Sequence, residues 1–205
     1  MKKIFLLVIL TLGVCAFASE KTPKTGFAAA DKVVWAGVDY SHARFIGSGE
    51  FANPSTIFPG MLDAWNNLVL QERLSIMGKN LGKPVVTDIA SVMEINKKAS
   101  ASQIVKSPGA SDTIDNTAIT TEIVSKAVSS YKLENKSGVA VVFIVDRLVK
   151  IDKKAEGAVY VVAFDIGTRQ VLSSQRIVGK AVGIGFRNYW FRVIKDAEVG
   201  LKKIH

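Results

Sequence analysis

The chain has 205 residues, 48% of them hydrophobic, and its 27 Lys and Arg outnumber 18 Asp and Glu to give a net charge of +9. At about 100–200 residues per domain, this is one domain large enough for a real core, with no need of a second. A single cysteine excludes a disulfide framework, and two histidines are too few for a histidine-built metal centre.

Residues 1–18 read as a secretory signal peptide: Lys2 and Lys3, an apolar run from Ile4 to Val14, and the small-residue exit Ala16-Phe17-Ala18. The apolar core falls well short of the ~20 residues a membrane-spanning helix needs. Cleavage after Ala18 leaves a chain beginning at Ser19 with no thiol and a net charge of +7. The rival reading takes Leu12-Gly13-Val14-Cys15 as a lipoprotein box with Cys15 lipidated, although the bulky Val14 suits it poorly. Either way the expected location is outside the cytoplasm, periplasmic or secreted, or anchored at Cys15.

Residues 19–31 are expected to be a flexible leader, and 32–205 a single α/β domain. Val33 to Val38 is a short apolar run, expected to be a strand buried on both faces. Gly47, Gly49, Asn53 and Pro54 mark a loop, and Pro59 to Arg73 repeats Met61, Leu62, Trp65, Leu68 and Val69 at helical spacing. Gly78, Gly82 and Pro84 punctuate, and Val85 to Ile95 reads as a half-exposed strand. Residues 96–116 read as a loop with one helical turn at Gln103 to Lys106, followed by a helix from about Thr120 to Tyr131. Val139 to Val145 and Ala158 to Phe164 are greasy and β-branched, expected as central strands joined by a charged tip at Lys150 to Gly157. Val171 to Val178 completes a three-stranded antiparallel meander as its outer strand. Phe186, Tyr189, Trp190, Val193, Ile194, Ala197, Leu201 and Ile204 form the apolar stripe of a last helix, with Arg192–Asp196 and Glu198–Lys202 as i,i+4 pairs on its other side. The predicted order is β-α-β-α-β-β-β-α, a single mixed or antiparallel sheet with about three packed helices.

This arrangement, with the meander turn Phe164-Asp165-Ile166-Gly167-Thr168-Arg169-Gln170-Val171-Leu172, resembles the small α/β domains of bacterial envelope proteins such as the N-terminal domain of TolB and the CsgG-like curli secretion proteins. The segment Gly183 to Trp190 is similar to a signature of uncharacterised secreted bacterial proteins. The resemblance implies an envelope setting and carries no functional residue with it.

Residues 169–205 hold eight basic residues against Asp196 and Glu198, a net of +6. For an exported protein, such a surface points to an envelope protein or an anionic envelope polymer and not to nucleic acid, it leaves membrane contact open with no transmembrane helix in the mature chain, and the alternative is a solvated basic face that serves solubility. Two weak sites stand out. Gly183 and Gly185 enter the last helix, where free N–H groups and the dipole favour an anion, with Arg187, Arg192 and Lys195 as added charge. Asp39, Tyr40, Ser41, His42 and Arg44 cluster where the first strand ends. Turn geometry explains the glycines, and polar residues leaving a strand explain the second group, without any ligand. No catalytic set, metal site or cofactor is expected, because neighbours along a strand face opposite ways and no serine sits in a nucleophile elbow. The expected function is that of a non-catalytic envelope domain acting through contacts. The alternative is a binder of a small anionic or glycan ligand at the basic C-terminal region, and an enzyme is a more distant third.

Overall fold

The computed structural model describes residues 26–47, 49–105 and 119–204. The export segment, Cys15 and most of the leader lie outside the described residues, as do positions 106–116 of the expected loop. In chain order the elements are β1 (Val33–Asp39), β2 (Arg44–Ile46), α1 (Gly60–Glu72), α2 (Leu74–Leu81), β3 (Val85–Thr87), α3 (Ala90–Asn96), β4 (Ile104–Val105), α4 (Thr121–Ser130), β5 (Val139–Ile151), β6 (Lys154–Asp165), β7 (Val171–Lys180) and α5 (Phe186–Ala197).

The sheet is organised by β5. One edge of it pairs antiparallel with β6, and β6 with β7, forming the expected meander. The other edge pairs parallel with β1 along its first half and with β2 along its second. β3 adds to β1 and β4 to β2, again in parallel. The sheet is therefore mixed, and the wholly antiparallel option is ruled out. Parallel pairing demands covered faces, and both are covered. Leu62, Trp65, Leu68 and Val69 of α1, Met77 and Leu81 of α2, and Trp190, Val193 and Ile194 of α5 pack on one face. Val92 of α3 and Val124, Ala127 and Val128 of α4 pack on the other.

The described residues contain five α-helices where three are expected, and the differences have local causes. Val85 to Ile95 is not one strand. Its apolar residues at 85, 89 and 93 are spaced by four, which satisfies a period of two and of 3.6 alike, and the chain becomes helical at Ala90 to bury Val92 and Asn96. Gly78 does not end structure but lies within α2, and Gly82 is its left-handed C-cap, φ 64°, with its N–H on the carbonyls of Gly78 and Lys79. β2 and β4 are too short to show a period. The helical turn lies at Ala101–Gln103, and Ile104 is already extended. Within the expected leader, Gly26–Ala29 form a 3₁₀ turn, and Phe27 lies under the Lys83 ammonium, 5.3 Å from its ring centre. The tip of the β5–β6 hairpin is only Asp152-Lys153, because Ile151 pairs with Lys154.

The last helix ends at Ala197 and tightens into a 3₁₀ turn, Glu198–Lys203. This overturns the expected Glu198–Lys202 pair. Glu198 turns inward instead, where both carboxylate oxygens accept from Arg73 at 2.7 Å, while Arg192 pairs with Asp196 as expected. β1 is buried along its whole length and shifts register between Trp35 and Gly37. Gly37 has φ 114°, and a Cβ there meets Asn66 Oδ1 at 3.1 Å and Val92 at 3.2 Å. Gly37→Ala is expected to cost about 1–3 kcal/mol, as a side chain forced into a sparsely populated backbone region does. A lower denaturant midpoint at unchanged slope is the readout.

Candidate functional site

β3 pairs with β1 only as far as Trp35, so beyond it β1 keeps β5 on one edge and side chains take over on the other. Asn66 of α1 accepts from the Val38 N–H at 2.8 Å and donates to the Val38 carbonyl at 3.0 Å. Asn96 of α3, from the opposite face, donates to the same carbonyl and accepts from the Tyr40 N–H, both at 2.8 Å. Gln103 Nε2 then donates to the carbonyls of Tyr40 and Ala43. The buried Asp39 carboxylate accepts from the Ser41 N–H at 2.7 Å and from the Tyr131 hydroxyl at 2.6 Å. Burial raises the Tyr40 and Tyr131 hydroxyl pKa values well above the ordinary range, and the Asp39 charge and hydrogen bond push Tyr131 further up. Burial thus favours the protonated phenol in both.

The strand-end group is thus divided. Asp39 and Tyr40 belong to the buried framework, and Arg44 reaches toward Asp146 at 3.9 Å. His42 alone is exposed, and with Ser41 it opens onto a cleft of about 800 Å³ between α3 and α4. Ala90, Ile95, Ile123 and Ala127 give this cleft an apolar lining, and Lys98, Lys126 and Lys132 bring cations to it. Its one carboxylate, Glu94, is paired with Lys97. The cleft lies at a change of direction in the sheet: the chain leaving β1 and β2 passes to α1 on one face, while the chain leaving the adjacent β3 passes to α3 on the other. Such switch points are where open α/β sheets gather ligands. Reading residues one by one does not find this cleft, since its lysines lie far apart in sequence and follow no motif.

A second polar cluster surrounds Asp146, the residue skipped where β5 shifts register against β6. Its buried carboxylate faces Arg176 at 3.2 Å, Arg147 at 3.5 Å and Arg44 at 3.9 Å, and Arg147 also reaches Glu156 at 3.3 Å. Charges this deep survive only when paired, so the network has a structural reason.

The glycine loop is built for docking. Gly183, φ 147°, brings its backbone against that of Asn188, and Gly185, φ 77°, is the N-cap of α5. The Arg187 carbonyl accepts from Trp65 Nε1 at 2.8 Å, tying the start of α5 to α1. Of the cations expected to assist an anion there, Arg192 pairs with Asp196 at 2.7 Å and Lys195 with Glu72 at 3.5 Å. Only Arg187 extends into solvent beside the glycines. Among the described residues, no group of three or more His, Cys, Asp and Glu is placed to hold a metal ion, and no helix is long and apolar enough to cross a membrane.

Compared with known proteins, the chain matches no family and no curated relative. What can be said of its function therefore rests on its own surface. Among the described residues the exposed large hydrophobics are Leu172 and Val178 in β7, Val182 and Ile184 in the loop after it, and Val199 in the 3₁₀ turn that packs on it, with Ile184 92% exposed.

Proposed function

We propose that this is an exported, non-catalytic envelope domain that acts by protein contact, and that β7 with the loop following it is the contact surface. The exposed Val178, Val182 and Ile184, close together in the chain at the end of β7 and in the loop after it, carry this reading, since exposed apolar groups that lie together mark interaction sites. β7 supports it as well: among the described residues it pairs with β6 alone, so its other edge offers backbone donors and acceptors to an added strand. The positive excess of residues 169–205 favours a partner segment that is extended, apolar in alternation and acidic. Export rests on the pattern of residues 1–18, and the envelope setting on the resemblance to TolB-like and CsgG-like domains.

The test is co-purification from the protein's own envelope fraction, with mass spectrometry of what is retained. The parent is expected to retain a specific protein, and the Val178→Asp/Ile184→Asp variant to lose it while melting like the parent, because exposed substitutions shift stability by under about 0.5 kcal/mol. Equal retention by both removes β7 from the reading. Retention of nothing by the parent removes the reading itself.

The small-ligand alternative is favoured by one observation, the lysines of the α3–α4 cleft, which have no carboxylate partner among the described residues. On that ground its place shifts from the C-terminal region, whose Arg192 and Lys195 already have carboxylate partners, to the cleft.

A further inference from the structure

The cleft between α3 and α4 has the makings of a ligand site independent of the β7 surface. Its volume, about 800 Å³, lies within the ~300–1,000 Å³ typical of small-molecule pockets. It opens beside residues 41 and 42, where the sheet changes direction. Its charge is one-sided: Lys98, Lys126 and Lys132 have no carboxylate within 4 Å among the described residues, whereas Glu94 is engaged by Lys97. Ile95 and Ile123 line the same cleft, and a bare inorganic anion has no use for them. We propose that the cleft binds a small anionic amphiphile, a molecule with one carboxylate or phosphate head and an apolar acyl or aromatic body.

The chemistry of each part is distinct. The ammonium groups meet the head as mobile point charges, which suits a single anionic group of either type better than a geometry needing a planar fork. The isoleucines and the alanine face of α4 take the body, whose transfer from water supplies the affinity that exposed charges alone lack. The buried framework beneath, from Asn96 and the Asp39–Tyr131 hydrogen bond, keeps α3 and the end of β1 fixed, so the walls are formed in advance.

Calorimetric titration of the purified protein with monomeric dodecanoate tests this, beside dodecanol, inorganic phosphate and phosphatidylglycerol vesicles. One dodecanoate per chain is expected, weakening as salt rises, with inorganic phosphate and dodecanol each binding far less. Lys98→Glu/Lys126→Glu should weaken dodecanoate about tenfold or more, while Lys98→Arg/Lys126→Arg keeps it within about twofold, since two exposed charge contacts are at stake and both variants alter surface residues only. Val178→Asp/Ile184→Asp should leave dodecanoate binding unchanged, which separates this site from the β7 contact. Dodecanol binding as tightly as dodecanoate, or indifference to the Lys98→Glu/Lys126→Glu change, overturns the proposal. Capture by vesicles with no uptake of free dodecanoate overturns it in favour of a membrane surface.

Discussion

Trp190→Ala is expected to destabilise the protein by about 3–5 kcal/mol, the usual cost of truncating a large buried aromatic. The indole is 1% exposed and does more than fill space. It lies 5.2 Å from the Phe51 ring and edge-on to Tyr189, and its Nε1 donates to Glu50 Oε1 at 3.3 Å. The other Glu50 oxygen is held by Lys150 at 2.7 Å, so one side chain joins α5, the segment before α1 and the far end of β5. Arg192→Ala, two residues on, removes only an exposed ion pair with Asp196 and is expected to change stability by less than about 0.5 kcal/mol. Paired denaturant melts decide it. Equal midpoints for the two variants would mean that α5 does not bury the Trp190 stripe.

Asn66→Ala should cost about 2–4 kcal/mol even though no charge is lost, because it leaves the Val38 N–H unpaired inside the protein and opens a void. Asn96→Ala should cost a similar amount, through the Tyr40 N–H. The two share the Val38 carbonyl as acceptor, so the double variant should depart from additivity by about 0.5–3 kcal/mol. A double-mutant cycle by chemical denaturation measures this, and strict additivity would mean that the two helices hold β1 independently.

The meander and the last helix are legible in the sequence because each carries a single unambiguous period. Val139 to Val145 and Ala158 to Phe164 are too β-branched to be anything but central strands, and Trp190, Val193, Ile194 and Ala197 recur only as a helix stripe. The N-terminal half is less legible for physical reasons. Spacing by four at Val85, Ile89 and Met93 fits both periods, and a two-residue strand such as Ile104–Val105 exists only through its partner β2. The candidate site divides in the same way. His42 is recognisable as a polar residue leaving a strand, but Asn66 and Asn96 look like ordinary helix residues until the helices bring them to one carbonyl from opposite faces. A single asparagine within an apolar stripe, as at Leu62-Asn66-Val69, is the one trace they leave.

The pairing of both β1 and β2 with a single edge of β5 bears on how the chain reaches its folded form. Val33 meets Val139 more than a hundred residues downstream, whereas the β5–β6 and β6–β7 hairpins close over short loops. Loop closure favours the hairpins first, and the parallel half can only assemble onto the seam they provide. A chain emerging from its N-terminus thus carries β1, apolar on both faces, with nothing but the three-residue β3 beside it until the last third arrives. Folding of this topology waits on the complete polypeptide, and during that wait the unpaired strand is the segment most exposed to aggregation and most in need of a holding partner.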